Sequence, residues 1–587
     1  MFKRNGWTWN KIRKAWETAD IEKARPLSKH AVGSAKVHLD NVEALRLAAV
    51  DRSWAEDTDA EFPSPEGLTY MPFQKAGIEY ACKRDKTLIA DPPGLGKTIQ
   101  AIGVHNTLDT VSVLIVCPAS LKVNWKREFE KWDVHGSTVG IARSETRREP
   151  LYEKNGERMR DHEGKPMSRT WTEHVWPETD VVVINYDMLE AFDDQIKELP
   201  WDLLICDEAH LMKSTNARRT KCVFGGSQKA VRKDKKIVKP AKEYMPIEAT
   251  RTLFLTGTPV LSRPLDIWNL IKACDPKGLG KKRDDFLFQY CGAHYIGDFL
   301  DTTGSSNEEE LGRLMRERFM VRRDKKSVLK DLPDKTRELI TIPRDKLEAV
   351  LKKETNRVQT ALGAYEALLG NESEGDDFRY ISVIEDLSGK LEAALDAQNS
   401  EEPDWERAVR SLSEPDRIMF TEISEAREEV ALAKVGAVVE HVERLFDAEE
   451  PVILFAHHKS VIAALKERLE KAGMNVGVVT GSVPSDKRQK IVDDFQDGVY
   501  DVIVGNIMAM GTGFTLTRAS IVVFAELDWV PALIEQAEDR AWRFGQKNAV
   551  LIQHLVVDMS IEARMVAALL HKMGIIKRTL DSRDVPE

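Results

Sequence analysis

No apolar run in the 587 residues approaches the ~18 needed to span a bilayer. The opening stretch Met1-Phe-Lys-Arg-Asn-Gly-Trp7 has no apolar core of the kind a secretory leader carries. Cysteine is scarce: six residues, at 82, 117, 206, 222, 274 and 291, with neither C-x-x-C spacing nor the regularity of a disulfide framework. Cys117 and Cys206 sit inside apolar runs, where cysteine behaves as a small hydrophobe. An excess of positive charge is also missing. The formal net charge is −10, so the chain as a whole does not advertise a nucleic-acid binder. Screening over ~8 Å at physiological salt nevertheless lets local patches outweigh the total. These absences lead us to expect an intracellular, cytoplasmic protein with no membrane partner and no structural metal.

A phosphate-binding loop is present. In Thr87-Leu-Ile-Ala-Asp-Pro-Pro-Gly-Leu-Gly-Lys-Thr98 a short apolar run reads as a buried strand, a Pro/Gly loop follows, and Lys97-Thr98 opens a helical continuation. Loop amides and a helix N-terminus then point at one anion. Gly94 and Gly96 allow close approach, Lys97 would reach the outer phosphates, and Thr98 would hold a magnesium ion. The strict G-x4-G-K-[ST] pattern is not met, because Asp91 stands where its first glycine belongs. Downstream, Trp201-Asp-Leu-Leu-Ile-Cys-Asp-Glu-Ala-His210 is a second buried strand ending in adjacent carboxylates. Asp207 can reach the magnesium ion through water, and Glu208 is displaced toward the γ-phosphate, where it can polarise water. Leu255-Thr-Gly-Thr-Pro259 follows. Together these runs specify a nucleoside triphosphatase using ATP and Mg2+.

The length suits roughly three or four domains. Residues 1–66 are polar and irregular, and we expect Trp7, Trp9 and Trp16 to share a helix that packs on the main body. Strands are expected at 87–90, 113–117, 181–184, 203–206 and 253–255, alternating with helices as in a parallel sheet covered on both faces. A highly charged insertion interrupts them at 140–180. Residues 229–242 carry Arg232, Lys233, Lys235, Lys236 and Lys239 against Asp234. This stretch reads either as a loop tracking nucleic-acid phosphates or as a solvated insertion. From about 345 to 429 the sequence is rich in Glu, Lys, Ala and Leu at helical spacing. Strand patterns return at 452–455, 476–479, 502–504, 521–524 and 552–556. The fold class is therefore α/β, with two lobes, one phosphate loop, and a nucleotide between the lobes.

The residues from 70 to about 572 resemble a Swi/Snf-type superfamily 2 helicase-like ATPase. Met71-Pro-Phe-Gln74 resembles its adenine-reading motif, which implies that Gln74 contacts the base. The run from Val113 to Ser120, continuing through Leu121 to Trp125, resembles the first DNA-contacting motif, and Val183-Ile-Asn-Tyr-Asp187 the next. Residues 319–333 are similar to a signature of the Swi/Snf group. Met510-Gly-Thr-Gly513 resembles motif V, which implies that Gly513 is at the nucleotide. Gln536-Ala-Glu-Asp-Arg-Ala-Trp-Arg543 resembles motif VI, with Gln536, Arg540 and Arg543 at i, i+4 and i+7. On a helix that is one face, able to present two guanidinium groups to the γ-phosphate. Asp91-Pro92-Pro93 departs from the usual run before the phosphate loop, and Trp542 stands where His is frequent. The resemblance implies two tandem RecA-like lobes. The divisions expected are an extension at 1–66, lobe 1 at 67–335, a helical insertion at 336–432, lobe 2 at 433–577 and a tail at 578–587.

Finer likeness, in residues 257–264, 432–435, 455–459 and 524–531, is to the annealing-helicase branch in a compact form similar to bacterial and phage-encoded proteins. It implies double-stranded or forked DNA as partner, held mainly through backbone phosphates. The DNA contacts implied are Ser120, Lys122, Asn185, Tyr186, His457, Lys459, Thr512 and Trp529. The activity implied is ATP-driven translocation that anneals or branch-migrates forks and bubbles. Displacement of a bound protein such as RNA polymerase, and an ATP-switched DNA clamp, stay open as alternatives.

Overall fold

A computed structural model describes residues 8–10, 15–17, 24, 30–152, 158–160, 165, 167–228, 230–233, 236–239, 241–296, 299–302, 304–369, 387, 390–391, 394, 405–510, 514–528 and 530–581. Two parallel sheets organise it. The first contains β1 (Lys86–Ile89), β2 (Val113–Cys117), β3 (Val139–Ile141), β4 (Val181–Asn185), β5 (Trp201–Asp207), β6 (Ala249–Leu255) and β7 (Met320–Val321), in spatial order β7-β1-β6-β5-β2-β4-β3. All its pairings are parallel.

Alternation within each strand decides which face a side chain covers. Leu114, Val116, Leu204 and Cys206 enter one core, and Val113, Ile115, Cys117, Leu203 and Ile205 enter the other. Burial on both faces explains why these strands read as continuous apolar runs. The second sheet contains β8 (Lys335–Ile342), β9 (Val452–Ala456), β10 (Val476–Val479), β11 (Val502–Asn506), β12 (Ile521–Phe524) and β13 (Val550–Val557), in order β8-β13-β12-β9-β11-β10 and again parallel. The chain thus forms two RecA-like lobes. Strand β8 joins the second sheet before the helical segment, so that segment lies inside the second lobe's chain. Its helices include Glu348–Leu369, Trp405–Ser411 and Glu414–Phe446.

The last helix, Ile561–Asp581, leaves the second sheet and ends on the first lobe. Arg316 donates to Leu580 O, and Arg322 Nε lies 2.7 Å from Asp581 Oδ1. No described helix is long and apolar enough to cross a membrane.

Three expectations change. Trp9 and Trp16 are cross-strand partners in an antiparallel pair, Thr8–Asn10 with Ala15–Glu17, rather than neighbours on a helix; Trp7 lies outside the described residues. The charged insertion becomes a long hairpin, Arg143–Pro150 with Ser168–Val175. The basic stretch contributes to two short antiparallel pairs, Gly225–Gln228 with Lys242–Pro246 and Val231–Lys233 with Lys236–Lys239, instead of an open loop. In each case the chain pairs with itself in antiparallel strands, which local composition did not reveal.

Candidate functional site

The loop between β1 and the helix Lys97–Leu108 is shaped by two glycines with left-handed backbone, Gly94 at φ 90° and Gly96 at φ 71°. A Cβ on Gly94 would lie 2.9 Å from Arg543 Cβ, and one on Gly96 would lie 2.5 Å from Gln74 Nε2. Side chains would fill the cradle that phosphates need. Lys97 Nζ donates to Asp91 O at 3.0 Å, at the mouth of the cradle. Burial lowers its pKa, against the pull of Glu208 and Asp207. Thr98 follows in the first turn. Gln74 is buried against the loop, donating to Leu95 O at 3.3 Å while its carbonyl accepts from Met71 N at 3.0 Å. In this conformation the side chain braces the loop.

Asp91 explains the broken pattern. It is wholly buried, and its Oδ1 accepts from Arg323 N at 3.0 Å and Arg323 Nε at 3.1 Å. Gln100 Nε2 donates to its other oxygen at 2.9 Å. Burial pushes the carboxyl up, but the charge and hydrogen bonds of Arg323 outweigh it and hold the group below the ordinary range.

The two carboxylates sit at the end of β5. Trp125 Nε1 donates to Asp207 Oδ2 at 2.8 Å, and Tyr186 Oη donates to Asp207 O at 2.8 Å. Glu208 has φ 48°, a left-handed conformation that costs a non-glycine residue about 1–2 kcal/mol. Its side chain meets His210, whose Nδ1 is 3.2 Å from Glu208 Oε2 and 2.9 Å from Thr256 Oγ1. Burial and the neighbouring Glu208 charge push Asp207 up. Glu208 is driven the other way: burial opposes its charge, but His210, Lys97 and Arg540 together win. Two adjacent carboxylates thereby acquire different proton affinities.

Gln536 lies on the helix Pro531–Glu538, and its Nε2 donates across the lobes to Thr258 Oγ1 at 2.8 Å. That helix ends at Glu538, which corrects the expectation of one helical face. Arg540 and Arg543 lie in the turns beyond it, and they converge because both donate to Phe514 O, at 3.3 and 3.1 Å. Burial lowers both, with the Arg540 charge helping to bring Arg543 to about 10. Their acceptors here are backbone carbonyls, so the guanidinium charge is available to an anion at the loop. Lys97, Arg540 and Arg543 around glycine amides, opposite Asp207 and Glu208, fit a triphosphate. Thr98 and Asp207 carry hard oxygens of the kind that would suit Mg2+.

The sequence-based DNA contacts divide. Ser120 and Lys459 are exposed beyond the carboxyl ends of β2 and β9. Lys122 Nζ donates to Asn185 Oδ1 at 2.9 Å, and Asn185 is buried. Tyr186 is also buried, with its hydroxyl on Asp207 O, so it corrects the expected DNA contact: it supports the carboxylates from beneath. His457 is half-buried, its Nδ1 3.6 Å from Asp528 Oδ2. Thr512, Gly513 and Trp529 lie outside the described residues. Sequence reasoning gave no role to His210, Trp125 or Arg323. His210 was legible as the fourth residue of Asp207-Glu-Ala-His210, whereas Trp125 and Arg323 reach the site only through tertiary contact.

A phosphate loop, a carboxylate pair and converging arginines on two parallel-sheet lobes define a helicase-like ATPase. Comparison with known proteins specifies the family. Residues 73–382 match the SNF2-related domain and residues 434–545 the helicase conserved C-terminal domain, so the chain belongs to the SNF2-related family. It is 29% identical over 521 residues to the Caenorhabditis elegans homolog of SWI/SNF-related matrix-associated actin-dependent regulator of chromatin subfamily A-like protein 1, covering 88% of this chain and 62% of that one. To the Mus musculus DNA annealing helicase and endonuclease ZRANB3 it is 31% identical, covering 87% of this chain and 41% of that protein. The chain thus spans about two-fifths to three-fifths of these relatives. Among solved structures, the Sulfolobus solfataricus SWI2/SNF2 ATPase core domain aligns with TM-score 0.35 at 20% identity over 91% of this chain and 94% of that one.

Proposed function

We propose that the protein is an ATP-dependent translocase on double-stranded DNA that remodels forks or bubbles by annealing or branch migration. The carrying observation is the meeting of Arg543, from the second lobe, with the phosphate loop of the first, at the position where a Cβ on Gly94 would touch it. The likeness to a relative named for annealing DNA supports this substrate class.

In this reading Lys97 and the loop amides would hold the β- and γ-phosphates, and Thr98 and Asp207 would hold Mg2+, which would neutralise charge on the transferring group. Glu208, kept ionised by His210 and Lys97, accepts a proton from the attacking water. Arg540 and Arg543 meet charge that grows in the transition state, so lobe closure and chemistry are coupled. Lost contacts after hydrolysis reopen the lobes, and alternating grip on the phosphate backbone through residues such as Ser120 and Lys459 moves the duplex.

Displacement of a triplex-forming third strand from duplex DNA tests this directly. ATP-dependent displacement, lost in Glu208→Gln, is expected. DNA-stimulated hydrolysis without displacement would replace translocation with a DNA clamp. Stimulation confined to polymerase-bound DNA would make a protein the true substrate.

A further inference from the structure

The segment Arg322-Arg323-Asp324-Lys325 lies within the Swi/Snf-type stretch 319–333. Its side chains reach both halves of the candidate site. Arg322 Nη1 donates to Ala90 O at 2.6 Å and Gly257 O at 3.0 Å, the carbonyls beneath the phosphate loop and within the Thr256-Gly-Thr258 turn. Arg323 grips Asp91 inside the loop and donates to Phe73 O at 2.8 Å and Gln100 Oε1 at 2.9 Å. Asp324 caps the turn that follows, accepting from Ser327 N at 3.0 Å.

Lys325 faces the other way, into the second lobe. Its side chain is almost fully buried, and Nζ donates to Trp542 O, lies 3.1 Å from Asp539 Oδ2, and stands 4.4 Å from the Trp542 ring centre. Asp539 immediately precedes Arg540, and Trp542 immediately precedes Arg543. One ammonium therefore holds the residue before each arginine. Lys335 reinforces the same place, 3.2 Å from Asp539 Oδ1 and 4.7 Å from the Trp542 ring centre. Trp542, the unusual residue of this stretch, offers its ring to both lysines and its carbonyl to Lys325, and its Nε1 donates to Pro333 O at 2.6 Å. Three residues of chain span at most ~10 Å. The phosphate-loop grip and the arginine grip are thus tied together by a single short link.

We propose that Lys325 is the positioning residue of the arginine pair: it sets Arg540 and Arg543 in register with the phosphate loop that Arg322 and Arg323 hold. The inference rests on the reading of the two arginines as transition-state contacts. Lys325 does not itself reach a nucleotide. Its effect passes through the backbone at 539–543, so it should act on the rate of the chemical step and not on ATP capture by the first lobe. Burial lowers Lys325 to about 8; Asp539 opposes this, and Lys335 and Arg543 also face it. The grip should accordingly loosen as pH rises through that value.

The test is steady-state ATP hydrolysis by the full chain with Mg2+ and duplex DNA. In Lys325→Met we expect kcat to fall at least tenfold, with KM for ATP within about threefold. In a background lacking both arginines, Arg540→Ala with Arg543→Ala, the same change should cost no more than about twofold, because the groups it positions are gone. A kcat within twofold of the parent, or an equal loss in both backgrounds, overturns the proposal. A second measurement holds even if Lys325→Met fails to fold. The parent kcat should decline with an apparent pKa near 8, and Lys325→Arg should remove that limb; a limb unchanged in Lys325→Arg overturns the proposal. Near-normal hydrolysis by Arg543→Ala would instead sink the arginine reading itself.

Discussion

Asp91 stands where the strict phosphate-loop pattern has glycine, and at the residue scale it illustrates why local patterns mislead. Its carboxylate neutralises Arg323 in a place where neither is exposed. Removing one member of a buried ion pair typically costs about 3–5 kcal/mol, because the other charge is stranded. Asp91→Gly, which would restore the strict pattern, should therefore destabilise the protein by that order and lower activity; urea unfolding would show it, and unchanged stability would refute the assignment. Lys97→Ala should abolish hydrolysis. Glu208→Gln should still bind ATP yet hydrolyse it roughly 10²–10⁴-fold more slowly, the usual contribution of a positioned proton acceptor. Single-turnover kinetics at saturating ATP separate binding from chemistry, and substantial turnover by Glu208→Gln would remove that residue as the base.

At the scale of elements, the carboxyl ends of β9 and β12 are locked together by one carboxylate. Glu526 accepts from the amides of His457 and His458 at 2.8 and 2.9 Å, and its other oxygen lies 2.6 Å from His458 Nδ1. Burial opposes its charge, but the His458 bond and charge prevail and bring it to about 2. A carboxylate with a depressed folded value stabilises the fold above its unfolded pKa of ~4.3 and loses that contribution as pH falls toward 2. The stability gap between parent and Glu526→Gln should thus be full at neutral pH and shrink across that acid window; a gap that widens there would contradict the assignment. The basic stretch 229–242 offers another element-scale test. If it touches DNA phosphates, replacing its lysines with serine should lower the steepness of log affinity against log salt by about 0.9 per lost contact. An unchanged slope, measured by fluorescence anisotropy, would make the stretch a bystander.

For the whole molecule, the decisive fact is closure of two lobes on one loop. Arg543→Ala should spare much of the ATP affinity contributed by the first lobe while depressing hydrolysis by about 10³-fold or more, the scale of an arginine finger. Arg543→Lys should recover only part of that loss, because a point charge cannot reproduce the planar fork. Near-parent hydrolysis in either variant would refute a closed two-lobe mechanism. The C-terminal helix Ile561–Asp581 adds a further link to the first lobe through Asp581 and Arg322.

The sequence by itself determined the two parallel-sheet lobes, because runs such as Val-Leu-Ile-Val-Cys at 113–117 can be buried only on both faces of a sheet. It also marked Lys97, Thr98, Asp207 and Glu208 as candidates for one phosphate site, since a glycine loop and strand-end carboxylates each carry their chemistry within a few residues. Tertiary structure decided the rest. The tryptophans at 9 and 16 chose cross-strand pairing over a helix, and the arginines left their helix at Glu538 yet converged through a shared carbonyl. Tyr186 turned inward to Asp207, and Arg323 found Asp91 from 232 residues away. No local pattern encodes such contacts, because their partners are set by how sheets stack and lobes close rather than by neighbours along the chain.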